Sequence, residues 1–229
     1  MVQRIIAVSC CESFCHSEPM DPVVLNFHDT LLHQSDVDLL DGPYWLNDSI
    51  ISFYFEYLEN VAYEGDRRFL FIGPEVTQCL KVSHWRDLTV FLEPLKLKQH
   101  QFCFFAVNDC EMTEKPGGTH WSLLVYSKPE NMFFHYDSSA GHNCDQAWKL
   151  ATNLSKYMSI EMEFIETDCL QQNNCYDCGI HLLCNVDHIA NYSARNGKVK
   201  GAGLIKPIMV NTKRSELKEL IESLSENRH

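Results

Sequence analysis

The sequence predicts an α+β domain, a central mixed or antiparallel sheet flanked by helices. Three observations carry this expectation. Strand candidates crowd the middle of the chain, at Phe102–Val107, His120–Tyr126, Phe133–Asp137 and 162–165. Helical apolar spacing falls on both sides of them, around 50–58, 178–189 and 217–224. The 229 residues are 45% hydrophobic and 22% charged, enough for one substantial core.

Taken in order, residues 1–19 hold three cysteines and no sustained periodicity, so we expect a disordered N-terminal extension there and a single domain over 20–229. Cys10, Cys11, Cys15 and His16 do not have the pair-of-pairs spacing of a zinc site. Asn47 precedes the apolar run Ile50 to Leu58 and can cap a buried helix, with Leu46 and Ile51 placed as a hydrophobic staple. Ala147, Leu150, Ala151, Leu154, Tyr157 and Met158 place a helix between the third and fourth strands. The run from Cys178 to Ile189 is apolar nearly all round and reads as a second buried helix. Leu217, Leu220, Ile221 and Leu224 stripe a last, amphipathic one.

Nineteen basic against 31 acidic residues give a net charge of −12, a field that repels phosphate backbones and anionic lipid. Nucleic acid and membranes are therefore not the expected partners, whereas a protein with a basic face is not excluded. Eleven cysteines are an odd number for a disulfide framework. The first apolar stretch, Ile5 to Val8, is shorter than a signal-peptide core of roughly 7–15 residues. The expectation is an intracellular chain, cytoplasmic or nuclear, with most cysteines reduced and acting as small buried hydrophobes.

Two strands carry titratable groups at their ends. Ser127-Lys128-Pro129-Glu130 is turn chemistry, so the strands on either side should form an antiparallel hairpin. With Tyr126 opposite Asn131, His120 lies opposite Asp137, about 5 Å away at Cβ and close enough for a carboxylate to hold an imidazole. A structural His–Asp pair, or a different register, is the alternative.

The segment Gln171 to Ile180 is a polar loop entering an apolar helix. Asp177 can cap that helix, leaving Cys178 in a first turn whose unpaired N–H groups favour a thiolate and can donate to an oxyanion. Gln172, six residues upstream, offers an amide donor for the same oxyanion. Gly179 lets another part of the chain approach closely. Cys175 and Cys178 also form C-x-x-C, which leaves redox and zinc readings open, and Cys178 could be plain core like Cys184. His181, His135 and His142 rival His120 as its base; His135 would face Ser122 in mid-strand.

Together, Trp45-Leu46-Asn47-Asp48, His120-Trp121, Tyr136-Asp137-Ser138 and Gln172-x-Asn174-x-x-Asp177-Cys178-Gly179 resemble the Ulp and sentrin-specific protease family of ubiquitin-like-protein cysteine proteases. The resemblance runs from Met20 nearly to the end. Segments such as Met20–Leu25, Gln34–Val37, Pro74–Gln78, Phe91–Leu95 and Gly117–Tyr126 resemble its deneddylase branch in particular. The resemblance implies a papain-like fold with His120 as general base, Asp137 as its orienter, Cys178 as nucleophile and Gln172 as oxyanion donor, although Gln171 rivals Gln172 by one residue. It implies that Trp45 and Trp121 form a tunnel over a Gly-Gly tail, with Asp48 beside them in substrate binding. It further implies a monomer, no metal or cofactor, and as partners a Nedd-type modifier and its conjugates, cullins included. A SUMO-specific protease and a non-catalytic modifier-binding module are the rival functions.

Overall fold

The computed structural model describes residues 20–112 and 117–226; the expected extension at 1–19, with Cys10, Cys11, Cys15 and His16, lies outside them. Aromatic and β-branched runs build a five-stranded sheet in the order β3 (Phe69–Ile72), β4 (Phe102–Asn108), β5 (Trp121–Ser127), β6 (Met132–Tyr136) and β7 (Phe164–Thr167). β4, β5 and β6 are antiparallel neighbours, and β3 and β7 join them in parallel, so the sheet is mixed. A separate hairpin of β1 (Val23–Phe27) and β2 (Thr30–His33) precedes it.

The helices are α1 (Gln34–Asp38), α2 (Asp48–Tyr57), α3 (Pro74–Val82), α4 (Thr89–Leu92), α5 (Cys144–Met158), α6 (Cys178–Asn196) and α7 (Pro207–Glu226). Strand alternation sorts them between two faces. Phe104, Ala106, Leu123 and Val125 share a core with residues of α2, α6 and α7, while Phe105, Val107, Leu124 and Phe133 share one with α3 and α5. As expected, Asn47 caps α2 by accepting from the Ile50 N–H at 3.2 Å.

Several elements differ from the sequence expectation, and the helices α1, α3 and α4 are among those not anticipated. The β1–β2 hairpin and β3 were not anticipated, because strands of four or five residues with one covered face, or a fully apolar tetrapeptide, give too short a periodic signal. β7 starts two residues later than expected: Phe133 pairs with Phe164 and Tyr136 with Thr167, and this edge strand is mostly exposed, so hydrophobicity marks its approach rather than its extent.

The β5–β6 register is also two residues from expectation. Ser127 pairs with Met132 and Leu124 with His135, leaving Lys128–Asn131 as the connection. Ser127 Oγ donates to Glu130 at 2.7 Å and Asn131 adopts a φ of 50°, so the turn closes one residue later on each strand. A slip of two keeps every side chain on its own face. His120, just before β5, and Asp137, just after β6, therefore still converge.

One guanidinium connects the elements that frame this end of the sheet. Arg214 of α7 donates to the carbonyls of Leu39 and Tyr44, both at 2.7 Å, and to Asp177 Oδ1 at 2.8 Å. It thereby joins α7, the loop before α2 and the residue that opens α6. Because hydrogen bonds to charged groups contribute about 1.5–3 kcal/mol, Arg214→Ala should lower unfolding stability by about 2 kcal/mol. Arg214→Lys should recover less than half of that, since an ammonium cannot fork. The urea midpoint at unchanged slope is the measurement; an unmoved midpoint in the alanine variant would refute the clamp.

Candidate active site

His120 and Asp137 are both nearly buried, and His120 Nε2 lies 2.6 Å from Asp137 Oδ1. Asp137 also accepts the backbone N–H groups of Ser139 at 2.9 Å and Asn143 at 2.8 Å. Burial works against its charge, but the hydrogen bonds from His120, Asn143 and Ser139 prevail and hold its carboxyl down to about 2. The same balance operates at the ring. Burial disfavours the imidazolium, yet hydrogen bonds to Asp137 and Cys178 and the charge of Asp137 raise its pKa to about 9.

Cys178 is the first residue of α6, is 2% exposed, and lies beside His120 closely enough to raise the pKa of its ring. With Nε2 held by Asp137, Nδ1 is the ring nitrogen left for the sulfur. Asp177 occupies the cap position as expected, but its side chain makes no capping bond. It is drawn instead to Arg214 and to Asn174 Nδ2, the latter at 2.8 Å. The first turn of α6 thus keeps N–H groups that no side chain caps, at the sulfur, where an oxyanion would form.

Hydrogen bonding distinguishes the two glutamines. Gln171 Nε2 donates to the carbonyls of Asp137 and Cys169 at 3.0 and 3.1 Å, and its Oε1 accepts from the Ala140 N–H, so it serves as a brace for the loop. Gln172 Oε1 accepts from Ser138 Oγ at 2.7 Å and its Nε2 donates to the Asn174 carbonyl at 2.6 Å. Those bonds aim the Gln172 amide with one N–H still to give.

Two clefts meet at His120. One, of about 290 Å³, is lined by Trp45, Asp48, Trp121, His120 and Cys178. The other, of about 630 Å³, is lined by Thr119, His120, Ser138, His142 and Gln172. Trp121 is buried with its Nε1 on the Leu46 carbonyl at 3.0 Å; Trp45 is 47% exposed with its Nε1 on the Cys175 carbonyl at 2.5 Å. A side chain on Gly179 would place its Cβ 2.9 Å from Leu46 Cβ, so glycine is what lets the Trp45–Leu46 segment lie against α6. Asp48, the first residue of α2, is exposed at the cleft rim.

The rival bases fall away on contacts. His135 is fully buried, with Nδ1 on Glu166 at 2.6 Å and Nε2 on Ser122 Oγ at 2.9 Å. Its ladder partner is Leu124, and it reaches Ser122 across the diagonal. His181 is buried, and burial pushes its pKa down. His142 sits on the rim with its ring 4.9 Å from that of His120, and its Nε2 lies 3.6 Å from Asp109. Cys175 is exposed.

Two supporting residues escaped the sequence reading. Asn143, 0% exposed, donates from Nδ2 to the carbonyls of Val107 and His120 and to Ser122 Oγ, joining the ends of β4 and β5 behind the imidazole. Asp109 accepts from the Thr119 N–H, Thr119 Oγ1 and the His120 N–H at 2.6, 2.7 and 3.1 Å. The one visible signal was an asparagine opening a helix six residues after Asp137, which on its own suggests only a cap. A sulfur at a helix N-terminus, an imidazolium braced by a carboxylate, and aimed N–H donors between two clefts are the parts needed for acyl transfer.

Comparison with known proteins agrees with this chemistry. Residues 44–227 match the family described as Ulp1 protease family, C-terminal catalytic domain. Sentrin-specific protease 8 of Homo sapiens is 42% identical over 211 residues, covering 90% of this chain and 99% of its own length. NEDD8-specific protease 1 of Arabidopsis thaliana is 34% identical over 218 residues, covering 89% and 94%. Among solved structures, the yeast Ulp1 protease domain in complex with Smt3 superposes with a TM-score of 0.70 at 19% identity, over 91% of this chain and 90% of its own, a likeness of fold. By sequence over nearly its whole described length, and with the α+β fold of that protease domain, the chain belongs to the Ulp1 family of cysteine proteases.

Proposed function

We propose that this protease hydrolyses the bond after the C-terminal Gly-Gly of a Nedd-type ubiquitin-like modifier, both in its precursor and in isopeptide conjugates such as cullins. The observation that carries the reading is His120 between Asp137 and Cys178 where two clefts meet, one of them lined by Trp45 and Trp121. The names of the human and Arabidopsis relatives support the choice of modifier. The unit would span residues 20–229 and work as a monomer in the cytoplasm or nucleus.

In this mechanism the modifier's tail enters the tryptophan-lined cleft, where residues lacking side chains pass most easily between flat rings. Asp48 stands at the rim for the residues that precede the glycines. Cys178 attacks the terminal glycine carbonyl, and the oxyanion is held by the Cys178 N–H and the Gln172 amide. Protonated His120 gives its proton to the departing lysine or α-amine, leaving a thioester. His120 then takes a proton from water, which hydrolyses the thioester and frees the thiolate. The −12 charge steers a modifier with a basic face toward the enzyme.

Electrophilic C-terminal probes of the Nedd-type modifier, SUMO and ubiquitin separate the alternatives. An adduct with the Nedd-type probe is expected; one with SUMO alone refutes the modifier assignment, and none at all favours a binding module. Cys178→Ala should abolish the adduct while Cys175→Ala retains it, and equal loss in both would restore the C-x-x-C reading. Gln172→Ala should lower turnover about 10²-fold with little change in probe-tail affinity, as loss of one oxyanion donor does; an unchanged rate would remove it from the site.

The pH profile tests the base. Proton donation to the leaving amine requires imidazolium, so turnover should fall as pH rises through about 9, where His120 loses its proton. Asp137→Asn removes the acceptor that raises this pKa, so the alkaline limb should move down toward the ordinary imidazole value near 6.5. A limb that stays put in the variant would show that another group sets it.

A further inference from the structure

Far from the clefts, a cavity of about 530 Å³ opens between α4, the 3₁₀ turn at Leu97–Gln99 and the end of α5. It borders the residues before β4 and the last turn of α5, whereas the catalytic groups lie at the end of β4 and the start of α5. The 15 residues of α5 separate the two by about 22 Å. This cavity is therefore no extension of the tail cleft.

Its charge is opposite to that of the molecule. Arg86, Lys96, Lys98 and Lys156 line it, with Glu93 as the one acid, in a chain of net charge −12. Among the described residues, none of these four cations has a carboxylate within 4.0 Å. Arg86 and Lys98 rest instead over the rings of Trp85 and Tyr157, at 4.8 and 4.7 Å from their centroids. The end of α5 adds about half a negative charge, small against four positive ones. Four like charges held around one cavity repel one another, and a bound anion would relieve that repulsion.

We propose that this cavity is a binding site for a compact polyphosphate. Three points select that class. The cavity has the volume of a small-molecule site. The two aromatic rings already carry cations over a face, which leaves charge as the main feature offered to a ligand. The overall negative field repels an extended polyanion such as nucleic acid or an anionic membrane, but a compact ligand seated within a Debye length, about 8 Å, of the four local cations senses mainly those.

Calorimetry on the full chain at physiological salt tests this, with inositol hexakisphosphate and inorganic pyrophosphate as probes and a doubly phosphorylated peptide and single-stranded DNA as comparators. Saturable 1:1 binding of inositol hexakisphosphate is expected, with weaker pyrophosphate and little DNA binding. The double variant Lys96→Glu/Lys156→Glu should weaken the first about tenfold or more. Lys198→Glu/Lys200→Glu, which makes the same change in net charge elsewhere, should leave it within error. Both pairs are surface residues, and a thermal melt of each variant confirms folding. Absence of binding to the unmodified chain, or equal loss in both double variants, overturns the site; peptide or DNA binding as tight as the small polyphosphate overturns the ligand class.

Discussion

A carboxylate is buried at Asp137, and most of the site follows from what pairs it. At 4% exposure an unpaired charge there would cost several kcal/mol. Three donors prevent that, the His120 ring from the start of β5 and the Ser139 and Asn143 N–H groups from the loop between β6 and α5. The Asn143 side chain then ties the ends of β4 and β5 to the start of α5. One paired charge thus fixes both where the imidazole sits and how three strands end. Its pKa of about 2 lies below the unfolded carboxylate value near 3.9, so this stabilisation is present above pH 4 and lost as pH falls through about 2.

Cys178 reaches the same point from the opposite face of the sheet. α6 comes close enough only because Gly179 leaves room for Leu46. Its N-terminus stays uncapped because Arg214 and Asn174 take the Asp177 carboxylate. A missing side-chain cap costs about 0.5–2 kcal/mol. Here the cost is offset by an ion pair that holds α7 and the Trp45 loop, and the uncapped N–H groups are the ones a developing oxyanion needs. Stability is lost at the helix end and regained one residue away.

Much of this was legible in the sequence, for identifiable reasons. The hairpin was visible because β5 and β6 are long apolar runs around turn residues. Its register was misplaced by two, yet the convergence of His120 and Asp137 survived because strand parity depends only on whether a slip is odd or even. Cys178 stood out because a polar loop ends there abruptly in an apolar helix. The Arg214 clamp and the Asn143 brace were not, since each acts on backbone carbonyls distant in sequence, as far as 175 residues for Arg214 to Leu39. Gln172 was already favoured over Gln171 by its spacing from Cys178, and the fold adds that Gln171 spends its amide on the Asp137 and Cys169 carbonyls.

Cysteine chemistry follows the same rule, that neighbours decide what a residue type can do. Burial pushes the thiols of Cys103 and Cys184 up to about 12 and that of Cys169 to about 11, which keeps them protonated and inert as packing groups. Cys178 is as thoroughly buried as they are. What sets it apart is a helix N-terminus beneath it and an imidazolium beside it, two sources of positive potential in a place shielded from water. Cys175, three residues away and exposed, offers only its backbone carbonyl, to Trp45. Composition counts eleven equal cysteines, whereas the fold sets Cys178 between a helix N-terminus and an imidazole.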